Sequence, residues 1–185
     1  MAIKTFTTGE VLTASDTNTY LANSGLVYVK QQTVGNTVAS VEITSAFSAT
    51  YEDYKIIYVG GTTSTQNDLA IHLGATAPAN GYYQTVIYAS YSSATALAQF
   101  VSNGTKWTYG GSQENPNSVI CEIYKPFETQ KTIISGTFTG ANSARVGGQM
   151  QGFYDPTTSY TSFTIVAGAG TFSGGIVYVY GYRKA

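Results

Sequence analysis

From residue 26 to the end of the chain, short apolar runs with period-two alternation are separated by turn signals, and this pattern constrains the fold more than any other feature. Runs of this kind read as strands over 26–32, 38–44, 54–59, 69–73, 82–91, 119–124, 132–138, 149–154, 160–166 and 176–182. Asn80-Gly81 and Asn103-Gly104 mark tight turns, because both residue types accept the positive φ that hairpins need. Asn115-Pro116 and Asp155-Pro156 punctuate further. The spacing is that of a sandwich or barrel and not of a βα repeat. The expected fold is all-β, an antiparallel β-sandwich preceded by one short N-terminal helix.

Alternation also assigns faces. Leu69, Ile71 and Leu73 share one, Phe163 and Ile165 another, and Val119, Cys121 and Ile123 a third. The last run is apolar on both sides, with Val177 and Val179 opposite Ile176, Tyr178, Tyr180 and Tyr182. Such a strand belongs at the centre of a sheet or at a subunit contact, which makes Tyr178, Tyr180 and Tyr182 the interface candidates. An outer face lined by amphipathic tyrosines accounts for the same pattern.

Residues 1–25 read as an N-terminal extension and 26–185 as the sandwich. Within the extension, Thr13 is the expected N-cap of a helix, Asp16 completes a weak capping box, and Gly25 is a C-terminal stop. A helix this short is marginal alone and must dock, either on its own sheet or on a neighbour. Leu12, Tyr20 and Leu21 are its anchor candidates.

Composition narrows the function. Charged residues make up 10% of the chain, against roughly 25% in typical soluble domains, while Tyr numbers 16 and Gly 20. A net charge of −1 with scattered basic residues gives no grip on nucleic acid or an anionic membrane. No run approaches the roughly 20 apolar residues of a membrane span, and the N-terminus lacks an apolar export signal, as expected of a soluble chain without Sec export.

Chemistry-bearing groups are sparse. His72 alternates with Leu69, Ile71 and Leu73, which points it outward as a structural or solvent-facing histidine without a second histidine at metal-binding spacing. Cys121 falls on an apolar face and reads as a small core hydrophobe. Glu52 and Asp53, with Glu114, are the carboxylates to weigh for glycan hydrolysis, but neighbours on an extended chain point apart. The glycine-rich run 168–175 lacks the lysine and following helix of a phosphate-binding loop. Asn103-Gly104-Thr105 matches a glycosylation sequon already explained as a turn. No catalytic residue, metal or cofactor is expected.

What remains is recognition. Trp107 follows a turn signal, and with Tyr82, Tyr83 and Tyr109 it is the candidate ligand surface, tyrosine and tryptophan offering flat apolar faces with a polar edge. Core or interface anchoring explains Trp107 and Tyr109 as well.

The opening Phe6-Thr7-Thr8-Gly9-Glu10-Val11-Leu12-Thr13-Ala14-Ser15-Asp16-Thr17-Asn18-Thr19-Tyr20-Leu21 resembles the N-terminus of tailed-phage tail fibre and minor tail proteins. Phe47-Ser48-Ala49-Thr50-Tyr51-Glu52-Asp53-Tyr54, Gly81-Tyr82-Tyr83, Lys125-Pro126-Phe127 and Gly174-Gly175-Ile176-Val177-Tyr178-Val179-Tyr180 resemble their C-terminal head domain. The resemblance implies a jelly-roll-like sandwich, a homotrimer, and a place in a virion assembled in the host cytoplasm. It further implies other virion proteins as partners and a host surface glycan as the ligand to test. Members of that family carry a spacer between helix and head, whereas Gly25 here leads almost directly into strands. That departure shifts weight towards a collar, baseplate or capsid-surface role. A capsid decoration protein and a carbohydrate-binding module are the two alternative functions.

Overall fold

Period-two alternation becomes fifteen strands, all paired antiparallel, in a computed structural model that describes residues 5–17, 25–65, 67–91, 96–112, 114–141 and 146–183. Along the chain they are β1 (Leu26–Thr33), β2 (Asn36–Val38), β3 (Ser40–Ile43), β4 (Tyr51–Val59), β5 (Thr62–Thr63), β6 (Asn67–Leu73), β7 (Tyr82–Ser90) and β8 (Ala96–Gly104). Then follow β9 (Trp107–Ser112), β10 (Glu114–Tyr124), β11 (Thr132–Ala141), β12 (Val146–Tyr154), β13 (Phe163–Ala167), β14 (Phe172–Ser173) and β15 (Ile176–Arg183). They form a large sheet in the order β1-β15-β4-β10-β11-β12-β7-β8, a smaller one in the order β3-β13-β6-β9, and a short one, β2-β14-β5. The antiparallel sandwich read from the sequence is the fold, with layers of unequal width.

The inner faces are those that alternation assigned. Leu69, Ile71, Leu73, Phe163 and Ile165 from the smaller sheet meet Val119, Cys121, Ile123, Val177 and Val179 from the large one, and all are buried. The glycine-rich run 168–175 contains β14, and the Gly174 amide donates to the Gly35 carbonyl at 2.7 Å, so it serves as a strand connection. Cys121 is a buried free thiol, and desolvation pushes it up to about 12. It is therefore expected to resist maleimide at neutral pH until the chain is denatured, which a thiol-labelling time course measures.

Two features depart from the sequence expectation. The run 38–44 divides at Ala39, its first part pairing with β14 and its second with β13, so one apparent strand serves two sheets. His72 alternates with Leu69, Ile71 and Leu73 along β6 as expected, yet it is only 4% exposed. Beside it are Thr164 in the paired strand, Lys106 and Glu42, and burial lowers its affinity for a proton. It is a buried histidine, not a solvent-facing one.

One polar device ties the two layers together at an edge. Gln84 of β7 points inward and is buried; its Nε2 donates to the Thr108 carbonyl at 3.0 Å, and its Oε1 accepts from the Thr108 amide at 2.5 Å. The amide thus pairs with the backbone of β9 as a neighbouring strand would. Gln84→Leu keeps the volume but strands both backbone groups, and is expected to lower stability by about 2–4 kcal/mol in urea denaturation.

Candidate interaction face

The large sheet has a second face, and no element packs on it among the described residues. Strand register lays its outward side chains in rows. One runs Tyr28, Tyr180, Lys55, Glu122, Ser135, Gln151, Thr85, Phe100 from β1 to β8. On one side of it lies the row Gln31, Tyr178, Ile57, Ile120, Thr137, Gln149, Ile87, Ala98, and on the other Tyr182, Asp53, Tyr124, Ile133, Phe153 and Tyr83. Hydroxyls, amides, tyrosines and isoleucines dominate. Tyr28, Ile87, Phe100, Ile120, Ile133 and Phe153 are exposed, and the charges within these rows fall on Asp53, Lys55 and Glu122 in the half nearest β4.

Those charges are held within the face. Glu122 Oε1 accepts from Tyr182 Oη at 2.5 Å and Oε2 accepts from Tyr124 Oη at 2.7 Å. Both bonds favour the carboxylate, so Glu122 is held below the ordinary glutamate range, and each phenol is pushed up to about 12. Because the folded carboxyl titrates lower than the unfolded one, its contribution to stability is complete above the unfolded value and is lost as pH falls through the folded one. The phenols give the sharper readout. Glu122→Gln is expected to bring Tyr124 and Tyr182 back towards the ordinary phenol value of about 10, adding two tyrosinates near pH ~11 in an ultraviolet difference titration.

Asp53 shifts upward, chiefly from burial, although its Oδ1 accepts from the Lys125 amide at 3.1 Å. Glu52 instead pairs with Lys125 Nζ at 3.0 Å. At the far half of the face, the Tyr83 and Phe153 rings stack at 4.8 Å with 8° between planes. They form one wall of a shallow groove shared with Phe100, Ile133 and Gln151, and Lys131, paired with Asp155, reaches into it with its Nζ 5.9 Å from the centre of the Phe153 ring.

The candidate residues named from the sequence divide among three places. Tyr178, Tyr180 and Tyr182 stand on the open face, half-buried, with Tyr28 and Tyr180 edge to face at 5.9 Å. Of the candidate ligand surface, only Tyr83 is on that face. Trp107, Tyr82 and Tyr109 are at most 2% exposed, so they are core anchors and not a surface. The reason is local: Trp107 and Tyr109 alternate along β9, which pairs with β6 and turns both rings into the sandwich. Sequence reading saw the turn signal before Trp107 and missed this strand.

In the extension, Thr13 caps Ala14–Asp16 with the capping box expected, and Leu12 is 48% exposed beside Val11 at 79%. Tyr20 and Leu21 lie outside the described residues. Among the described residues no group of three or more His, Cys, Asp and Glu could hold a metal ion, and no helix is long and apolar enough to cross a membrane. Comparison with protein-family models, curated proteins and solved structures finds no match to this chain.

Proposed function

We propose that the chain is a non-catalytic structural component of a virus particle, a tail-associated fibre or receptor-binding domain that assembles as a homotrimer through the open face of its large sheet. The observation that carries this reading is the face itself. Eight strands about 4.8 Å apart and three rows of side chains about 6.7 Å apart give roughly 750 Å² in projection, close to the roughly 800 Å² per partner of stable interfaces. Its low charge suits burial, since few ions must be desolvated; the three ionic residues in its rows are already engaged or adjacent to one another, and Lys131 at its rim is paired with Asp155. The resemblance of the opening residues and of the head motifs to tail proteins supports placing it in a virion. In this reading the exposed Val11 and Leu12 dock on a neighbouring virion protein.

The breadth of the face also suits a capsid decoration protein, which would lay it across neighbouring capsid subunits. Light scattering on the purified chain over a range of concentrations separates the two. Three chains, or trimers in pairs, in isolation support the tail-associated reading, and a monomer at every concentration supports decoration of a capsid.

A further inference from the structure

The large sheet ends in two edges, and they are built differently. At β1 the register shifts between Tyr28 and Lys30, and Lys30 Nζ donates to the Thr44 carbonyl at 2.6 Å, so a bulge and a lysine blunt that edge. The neighbouring edge of the smaller sheet is occupied too, at Thr108, by Gln84. β8 carries a bulge only at its far end, where the register shifts between Val101 and Gly104 and Asn103 takes a positive φ, and no lysine covers the stretch before it among the described residues. Its sequence, Ala96-Leu97-Ala98-Gln99-Phe100-Val101-Ser102-Asn103-Gly104, contains no charge and no proline, and its pairing with β7 is regular from Ala96 to Val101.

This strand also overhangs the sandwich. Its burial pattern leaves seven of nine residues exposed, with Leu97 at 51% on the inward side and Phe100 at 78% on the outward side. Between it and the smaller sheet is a cleft lined by Asp68, Gln84, Gln99, Val101 and Thr108, so the inward side is uncovered as well. A strand bare on both faces and on one edge has little to hold it in water, and an unprotected edge is a template for another strand.

We propose that β8 pairs antiparallel with β8 of a second copy, joining two large sheets edge to edge about a two-fold axis. Self-pairing sets each residue opposite one from the same nine-residue stretch, so in every register uncharged residues face uncharged residues and no like charges meet. A two-fold contact of this kind closes on itself and leaves only the two blunted β1 edges, whereas an open edge-to-edge chain would leave an unprotected one. The proposal rests on the reading of the chain as a self-assembling component, but the contact is a separate one. Tyr180 points outward from β15, whereas Leu97 points inward from β8, six strands and roughly 29 Å away.

Single-cysteine variants at residues 97 to 101, made one at a time in the full chain, locate the axis, because a residue on it faces itself. Mild oxidation is expected to give a disulfide-linked dimer with a maximum at one position and a fall on both sides, with the buried Cys121 not contributing. Leu97→Lys, on the inward side and so off the open face, is expected to halve the mass of the assembly in solution, from six chains to three, with the circular dichroism unchanged. Cross-linking at no position above the level of a control cysteine at exposed Thr157, or an unchanged mass for Leu97→Lys, overturns the edge contact. Self-association that persists in those cases leaves the face-mediated reading standing. Cross-linking at β8 in a chain whose mass is indifferent to Tyr180→Asp would fail that reading and keep the edge.

Discussion

Trp107→Ala is expected to destabilise the fold by about 3–5 kcal/mol, enough to leave much of the chain unfolded at 37 °C if its stability is typical of small domains. Trp107 has no exposed surface, and its ring sits edge to face on Tyr82 at 4.7 Å. Tyr82 in turn lies 4.4 Å from Tyr154, and its hydroxyl accepts from the Leu73 amide at 2.7 Å. The indole therefore links β9 of one sheet to β7 and β12 of the other. Room for it exists because residue 152 is glycine. A Cβ there would stand 3.0 Å from Trp107 Nε1 and 2.4 Å from the Tyr83 carbonyl oxygen.

Removing the indole opens a cavity between two sheets that cannot close without shifting their separation. Trp107→Phe should cost markedly less, since part of the ring contact with Tyr82 survives. Both variants are compared with the native chain by urea denaturation followed by circular dichroism, because the single tryptophan is itself the fluorescence probe. A loss below about 1 kcal/mol for Trp107→Ala would show that the two layers are held together elsewhere.

Tyr180→Asp is expected to abolish association through the open face, shifting its dissociation midpoint by roughly two orders of magnitude or more while the fold and the β8 edge survive. The side chain is on the outward side of β15, whose inward residues Val177 and Val179 are fully buried and untouched by the change. Its loss removes the edge-to-face contact with Tyr28, and the new carboxylate enters a surface where Asp53 and Glu122 already hold negative charge against Lys55. Burying a third acid there costs several kcal/mol, whereas the same acid facing water costs little. Sedimentation velocity of variant and native chain at matched concentration reads the difference. Normal assembly of Tyr180→Asp would remove this face from the contact.

Much of the architecture was legible in the sequence because it is a local property. Leu69-Ile71-Leu73 and Val119-Cys121-Ile123 alternate cleanly, and each buries the face that alternation chose. β8 was missed for an equally local reason: Ala96, Leu97, Ala98 and Gln99 are weak strand formers, and pairing with β7 imposes the extended backbone. The change of sheet at Ala39 was not legible, since it depends on which distant strands, β14 and β13, accept the two halves of one run. The fate of Trp107 hinged on the space left by Gly152, a residue far from it in sequence.

The open face occupied a middle position. Tyr178, Tyr180 and Tyr182 were readable as the unexplained side of a two-sided strand. The same signal was present in β11, where Ile133 and Ile134 point to opposite faces, and in β7, where Val86 and Ile87 do. Only the register shows that these residues fall on one surface with the tyrosines. Sequence alone could not sum them, because the strands that carry them are ordered β15, β4, β10, β11, β12, β7 in space and otherwise along the chain.

Whether that surface is covered in the assembled state can be measured at its centre. Thr137 is exposed and lies in the row between Ile120 and Gln149, so Thr137→Cys places a thiol in the middle of the face beside a native cysteine that is buried. Maleimide labelling of Thr137→Cys is followed at high and at low protein concentration, with exposed Thr157→Cys as the reference. Assembly through the face predicts that labelling at 137 slows by roughly tenfold or more as concentration rises while labelling at 157 does not change. Equal rates at 137 across the whole concentration range would contradict it.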